Sequence, residues 1–290
     1  MTGNFIDTYR FKLKKKRTNW KDNICLISTE FGNIRVLDSL GDKPIIINVP
    51  DGPNVIEHHK ELITKLSNNF RVICFEFPGI GFSYPNSNYD YSFPNASKLI
   101  INLMDILKIE KAALAFSCSN GFYAIKTAEL FPLRVNRLFL SQTPSLQAMN
   151  KWTESAIPKL LKIPIIGQIA NIFSEKKFAK IWYKYALPKH TDISKYQNKA
   201  LKALGNGGCF CLSSLVQGLK KETNSTLKVL ETPATLVWGS KDFTHKNTNK
   251  LSITKHLPNC EIIEFDNCGH FPELEDTDRY VNLINERMKL

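Results

Sequence analysis

The chain has 290 residues, 43% apolar and 23% charged, with a net charge of +12 and seven cysteines. That balance predicts a soluble globular protein with a sizeable core, either one large domain or a core carrying an insertion. No run approaches the roughly 18 apolar residues of a membrane span, and the N-terminus lacks the pattern of a signal peptide, so a cytoplasmic location is expected.

The cysteines (Cys25, Cys74, Cys118, Cys209, Cys211, Cys260, Cys268) form neither a disulfide framework nor a paired CxxC signature. "GCFC" (208–211) reads as two buried thiols rather than a metal pair, and no metal or cofactor is expected. Positive charge gathers in "RFKLKKKRTNWK" (10–21), within a basic N-terminal extension 1–22, and in 151–189, which holds eight lysines against two glutamates. A solvated, solubilising face explains it, and so does an anionic partner such as an acidic carrier protein or coenzyme A. Nucleic-acid motifs are not visible.

From residue 23 the elements follow in order. "NICLIST" and "NIRVLDS" read as a hairpin turned at Glu30-Phe31-Gly32, and "PIIINVP" as a buried central strand. A helix after "DGPN", the strand "RVICFEF", a helix over 96–107, the strand "AALAF", a helix to Phe131 and the strand "RLFLS" complete an alternating run. Buried strands alternating with amphipathic helices imply βαβ units. The rhythm breaks at Thr143: 144–230 is helical in pattern, punctuated by Pro158, Pro164, Pro188 and "GNGG", without a convincing strand. Strands resume in "TPATLVWG" and "CEIIEF", and a helix over 274–288 closes the chain. The expected fold is α/β, a mostly parallel eight-stranded sheet with helices on both faces, with a core of 23–143 and 231–290 and an inserted helical cap of 144–230.

In such a sheet ligands bind beyond the carboxyl ends of the strands. The loops there are "DGPN" (51–54), "SCSNG" (117–121), "GSKD" (239–242) and "NCGH" (267–270), which give the order nucleophile, acid, histidine. With "FEFPGIGFS" (75–83), "LVWGSKD" and "FDNCGHFPELE", the sequence resembles the α/β-hydrolase superfamily, in particular its capped branch of haloalkane dehalogenases, epoxide hydrolases and esterases. The resemblance implies Asp242 as the acid, His270 as the base and the helical insertion as a roof over the site.

Three nucleophiles compete in "AFSCSNGF". Steric reasoning asks for small residues two before and two after, which favours Ser119 over Ser117 and disfavours Cys118, flanked by Phe116 and Asn120. The family's flanking register, through "IEKAALAFSC" and through Pro132 and Val135 of "AELFPLRV", favours Cys118. We take Cys118, with Ser119 as the alternative; a helix N-terminus and an imidazole would favour its thiolate. The resemblance also implies an oxyanion hole from the Ser119 N–H and the Pro53 position, which has no N–H, so either Asn54 or a side chain substitutes or the protein does not perform ordinary ester hydrolysis. Asp51, Asn54, Phe116 and Trp182 are expected at the substrate pocket, Asp51 capping a helix or acting as a second acid; Glu76 is expected to be structural. The function expected is an acyl-ester or acyl-thioester hydrolase or acyltransferase, ring closure included, acting on an apolar acyl group. The rivals are a binding protein or lyase on the same scaffold and a serine esterase. Membrane-surface contact is the less favoured partner.

Overall fold

The computed structural model describes residues 3–12, 20 and 23–289. The basic run at 13–19, 21 and 22 lies outside the described residues. After helix α1 (Asn4–Lys12) come β1 (Ile24–Thr29), β2 (Gly32–Asp38), β3 (Ile45–Asn48), α2 (Lys60–Leu66), β4 (Arg71–Phe75) and the two-residue strands β5 (Ile80–Gly81) and β6 (Tyr84–Pro85). Then follow α3 (Phe93–Ile106), β7 (Ala112–Ser117), α4 (Asn120–Leu130) and β8 (Val135–Ser141). Helices α5 (Leu146–Ala156), α6 (Ile166–Ala186), α7 (Ser194–Gly205) and α8 (Leu212–Lys220) come next, with β9 (Cys209–Phe210) between the last two. β10 (Ala234–Gly239), β11 (Glu261–Phe265), α9 (Pro272–Glu275) and α10 (Thr277–Met288) end the chain.

Eight strands run in the order β1-β2-β4-β3-β7-β8-β10-β11, with β6 attached to β2. The β1–β2 and β2–β4 pairs are antiparallel, and the pairs from β4–β3 to β10–β11 are parallel. Every residue of the central strand β7 is buried. Its side chains alternate between two cores: Leu114 and Phe116 join the layer that includes α3 and α4, Ala113 and Ala115 the layer that includes α2 and α10. Burial on both faces is why its sequence is apolar without alternation.

The expectation of no strand in 144–230 fails at Cys209–Phe210, which pairs antiparallel with Ile80–Gly81 and ties the inserted helices to the core. The pairing is two residues long, too short to leave a period-2 signal. Cys209 and Cys211 are both buried. The described part of the N-terminal extension is likewise not a solvated arm. α1 docks: Asn4 Nδ2 donates to the Tyr89 carbonyl (2.9 Å), Ser214 Oγ donates to Asp7 (2.5 Å), and Arg10 pairs with Glu175 (2.7 Å).

Glu76 is structural, as expected. Its buried carboxylate accepts from Arg35 (2.9 Å), from the Ile56 N–H (3.0 Å) and from the Phe82 N–H (2.6 Å). Arg35, also buried, bonds Glu57 and stacks on Trp20 and Phe82. Removing one partner of a buried pair leaves an uncompensated charge. Glu76→Ala should therefore cost about 3 kcal/mol in urea-induced unfolding; a loss near zero would show that Glu57 alone satisfies Arg35.

Candidate active site

β7 ends at Ser117 and α4 begins at Asn120, so the chain must turn from strand to helix within two residues. Cys118 sits at the apex with φ +53°, a left-handed conformation rare outside glycine. Three hydrogen bonds over-determine it. Its N–H donates to the Ser141 carbonyl (2.7 Å), and its carbonyl accepts from Thr143 Oγ1 (2.9 Å) and the Gly121 N–H (3.1 Å). Ser117 Oγ donates instead to the buried Glu273 (2.8 Å), and Ser119 occupies the helix N-cap with φ −64°.

The bulky neighbours fit because the tight spot lies elsewhere. Phe116 points into the core, edge-on to Phe75 and Phe77, and does not line the cavity. A Cβ at Gly121 would collide with the Thr143 side chain, so the close approach falls three residues after Cys118. Asn120 has room to donate to Asp51 (3.5 Å).

His270 lies in the loop after β11. The Glu275 carboxylate pins that loop by accepting from the Gly269 N–H (2.8 Å) and the Phe271 N–H (2.9 Å), while the His270 N–H donates to the Ala186 carbonyl of α6 (2.8 Å). His270 Nδ1 meets Asp242 Oδ2 at 2.6 Å. Asp242 also accepts from Gln142 Nε2 (2.7 Å), the Thr244 N–H (2.8 Å) and Thr244 Oγ1 (2.6 Å). Burial would raise its pKa, but the charge and hydrogen bond of His270 bring it down to about 2. The Asp242 carboxylate is thus a fixed negative charge behind the imidazole.

The other nitrogen is contested. His270 Nε2 lies 3.2 Å from Asp51 Oδ2, and the Cys118 thiol also faces the imidazole. Burial alone would lower His270, yet the Asp242 and Asp51 carboxylates hold it well above the ordinary imidazole range. Burial and the Asp51 charge push the Cys118 thiol up to about 11, against the pull of His270 and the Ser119 N–H. The expected thiolate is corrected to a resting thiol. Desolvation and a second carboxylate outweigh the helix terminus here.

Asp51 is therefore part of the constellation. Asn54 is not at the cavity: its N–H donates to the Asp51 carbonyl (2.9 Å), and its Oδ1 accepts from the Tyr183 hydroxyl of α6 (2.7 Å). The Asn54 backbone donor is committed to this turn, and Pro53 has none, so a second oxyanion donor must come from elsewhere. Trp182 lines the cavity edge-on to His270, ring centroids 5.0 Å apart, and its Nε1 is buried without a partner among the described residues.

Sequence reasoning missed two residues. Gln142, at φ +49°, clamps Asp242 to β10 by also accepting from the Gly239 N–H (2.8 Å). His245 is buried, stacked on Trp152 (4.6 Å) and parallel to His270 (5.3 Å). Burial lowers it to about 3, so it stays neutral, and its Nε2 has no partner among the described residues. Only its place three residues after Asp242 hinted at it. Cys118, His245 and His270 bring donor atoms within 4.8 Å of one another, a set whose chemistry would suit a soft ion such as Zn2+.

The constellation opens into a cavity of about 1400 Å³. Trp152, Phe178, Ile181, Phe210, Leu215 and Val216 make its walls apolar, and Lys151, Lys246 and Lys255 also line it.

No protein-family model matches the chain. Among curated proteins it is 22% identical over 260 residues to a cis-3-alkyl-4-alkyloxetan-2-one decarboxylase of Shewanella oneidensis, covering 84% of this chain and 81% of that one. It is 24% identical over 276 residues to a 2-hydroxy-6-oxononadienedioate/2-hydroxy-6-oxononatrienedioate hydrolase of a Pseudomonas species, covering 87% and 90%. Epoxide hydrolase A of Mycobacterium thermoresistibile superposes with a TM-score of 0.73 at 12% identity, over 91% of this chain and 97% of that one. The chain has the α/β-hydrolase fold. A Salmonella enterica protein provisionally assigned as an acyltransferase shares it, with a TM-score of 0.77 at 16% identity over 94% and 98% of the two chains.

Proposed function

We propose that the protein is an α/β-hydrolase-fold enzyme that moves an apolar acyl group from an ester or thioester through Cys118, with His270 as base and Asp242 as its orienting acid. The observation that carries this is the elbow apex at Cys118, facing an imidazole whose far nitrogen is held by Asp242 at 2.6 Å. Burial and Asp51 hold the thiol's pKa up, so its proton must reach the Nε2 of a neutral His270 as sulfur attacks the carbonyl. The tetrahedral oxyanion would be met by the Ser119 N–H, with the Trp182 N–H as the side-chain candidate for the second donor. Collapse expels the alcohol or thiol, which takes the proton from His270. The same imidazole then activates water or an acyl acceptor against the thioester formed on Cys118.

The inserted helices would roof this site, and their apolar walls suit an acyl chain. Lysines lining the cavity suit an anionic carrier of that chain, an acidic carrier protein or coenzyme A. A series of acyl thioesters of increasing chain length tests the substrate class. kcat/KM should rise by up to about fourfold per added methylene, the equivalent of about 0.8 kcal/mol per buried CH2, until the cavity is filled. A flat series would show that the cavity does not bind an apolar acyl chain.

The Asp51 contact sets the pH dependence. A carboxylate 3.2 Å from His270 Nε2 favours imidazolium, and its charge also raises the Cys118 thiol. Both shifts withhold the reactive forms until higher pH, so kcat/KM should climb on the alkaline side. Asp51→Asn removes the charge, and the limb should move to lower pH; a limb that stays in place would mean Asp51 does not govern the proton.

That same contact favours a second reading, in which the Asp51–His270 pair shuttles protons on a bound substrate without covalent attack, as in a lyase. It differs in leaving Cys118 unacylated.

A further inference from the structure

The first half of helix α6, Ile166 to Glu175, is turned inside out. Its buried face carries Gln168, Asn171 and Glu175, which bond to Ser214 (2.9 Å), the Phe210 carbonyl (2.7 Å) and Arg10 (2.7 Å). Over that half the outer face is apolar, as is most of the turn before it, while the exposed positions further along include Lys176, Lys177, Lys180 and Lys184. Phe173 is 86% exposed, and Leu160, Ile163, Ile165, Ile166 and Ile169 are between 38% and 51% exposed. Ile166, Ile169 and Phe173 follow helical spacing, so they form one stripe rather than scattered residues. Singly exposed apolar residues need no explanation, whereas a contiguous patch marks an interaction surface.

The charge around the patch selects the partner. Lys159, Lys176 and Lys177 are exposed beside it, and the one acid between 158 and 180, Glu175, is buried and paired with Arg10. A second copy of the same face would set lysine against lysine. An anionic lipid surface would meet both features, with apolar side chains at the acyl boundary and ammonium groups at the phosphates. Helix α1 extends the surface: Phe5 and Tyr9 are 48% and 65% exposed beside a hollow of about 510 Å³ shared with Ile172.

We propose that this face, from Pro158 to Lys177 with the exposed side of α1, docks on an anionic lipid bilayer. Among the described residues no helix is long and apolar enough to cross one, so the contact is interfacial. The same helix α6 gives Phe178, Ile181 and Trp182 to the catalytic cavity. Docking would hold that cavity close to a source of apolar chains, but the docking itself does not depend on the acyl-transfer reading.

Co-sedimentation of the full chain with phosphatidylcholine vesicles, with and without phosphatidylserine, tests it. The protein should partition onto the serine-containing vesicles, lose that partition at high salt, and bind the neutral vesicles at least about tenfold less. Ile169→Ser with Phe173→Ser should lower partition about tenfold or more, and Lys176→Glu with Lys177→Glu should lower it too. All four positions are exposed, so thermal unfolding should be unchanged, which separates a lost surface from a lost fold. Partition that is absent, equal on neutral vesicles, or indifferent to the Ile169/Phe173 pair overturns the proposal. A concentration-dependent dimer that dissociates on Phe173→Ser would also overturn it, making the patch a contact between copies of the chain.

Discussion

Replacing Cys118 by alanine is expected to reduce kcat/KM for an acyl thioester by at least about 10⁴-fold with little change in thermal stability. The chemistry gives the size. Without the sulfur no acyl-enzyme forms, and what remains is binding and the oxyanion donors. The Cys118 backbone already holds its left-handed φ through the Ser141, Thr143 and Gly121 hydrogen bonds, none of which uses the side chain. Ser119→Ala should behave differently. Its hydroxyl makes no helix-capping bond, and its oxyanion role belongs to the backbone N–H, which alanine keeps. A loss within about tenfold is expected there. The reverse ranking would move the nucleophile to Ser119 and make the protein a serine esterase.

Asp242→Asn is the second large effect, again about 10⁴-fold in kcat. Asp242 receives hydrogen bonds on both oxygens, Oδ1 from the Thr244 N–H and hydroxyl, Oδ2 from Gln142 Nε2 and His270 Nδ1. A carboxamide can keep only one oxygen. With that oxygen left to Thr244, its NH2 group faces both the Gln142 donor and His270, and the imidazole must turn Nδ1 into an acceptor. The proton then sits on Nε2, the nitrogen that has to receive the Cys118 proton. The carboxylate that kept the imidazolium favourable is also gone, so the His270 pKa should fall, and NMR titration of the ring would report it. An Asp242→Asn variant with near-normal kcat would remove the acid from the constellation.

Much of this was legible in the chain. Apolar strands alternating with amphipathic helices carry the parallel sheet, because strands buried on both faces have no polar alternation to obscure them. Asp242 and His270 stand out by their order after the elbow, and the structure does bring them together at 2.6 Å. What stayed hidden depends on contacts between segments distant in sequence. The small residue the elbow needs is Gly121, a requirement set by Thr143 from the next loop. The resting state of Cys118 follows from burial and from Asp51, 67 positions earlier in the chain. Gln142 clamps Asp242 across 100 residues, and Asn54 turns out to hold α6 through Tyr183 rather than face the cavity. The polarity of α6 is legible in its residues, but which face turns inward is not: polar partners on α1, α8 and β9 draw Gln168, Asn171 and Glu175 in.

The intact mass of the protein after incubation with an activated acyl thioester, alongside Cys118→Ala and Ser119→Ala, decides whether Cys118 is the nucleophile. One added acyl group is expected on the wild-type chain and on Ser119→Ala, none on Cys118→Ala, with the adduct removed by a thiol such as hydroxyethanethiol. An adduct that persists in Cys118→Ala, or turnover by Cys118→Ala at the wild-type rate, would overturn the assignment of Cys118 as nucleophile.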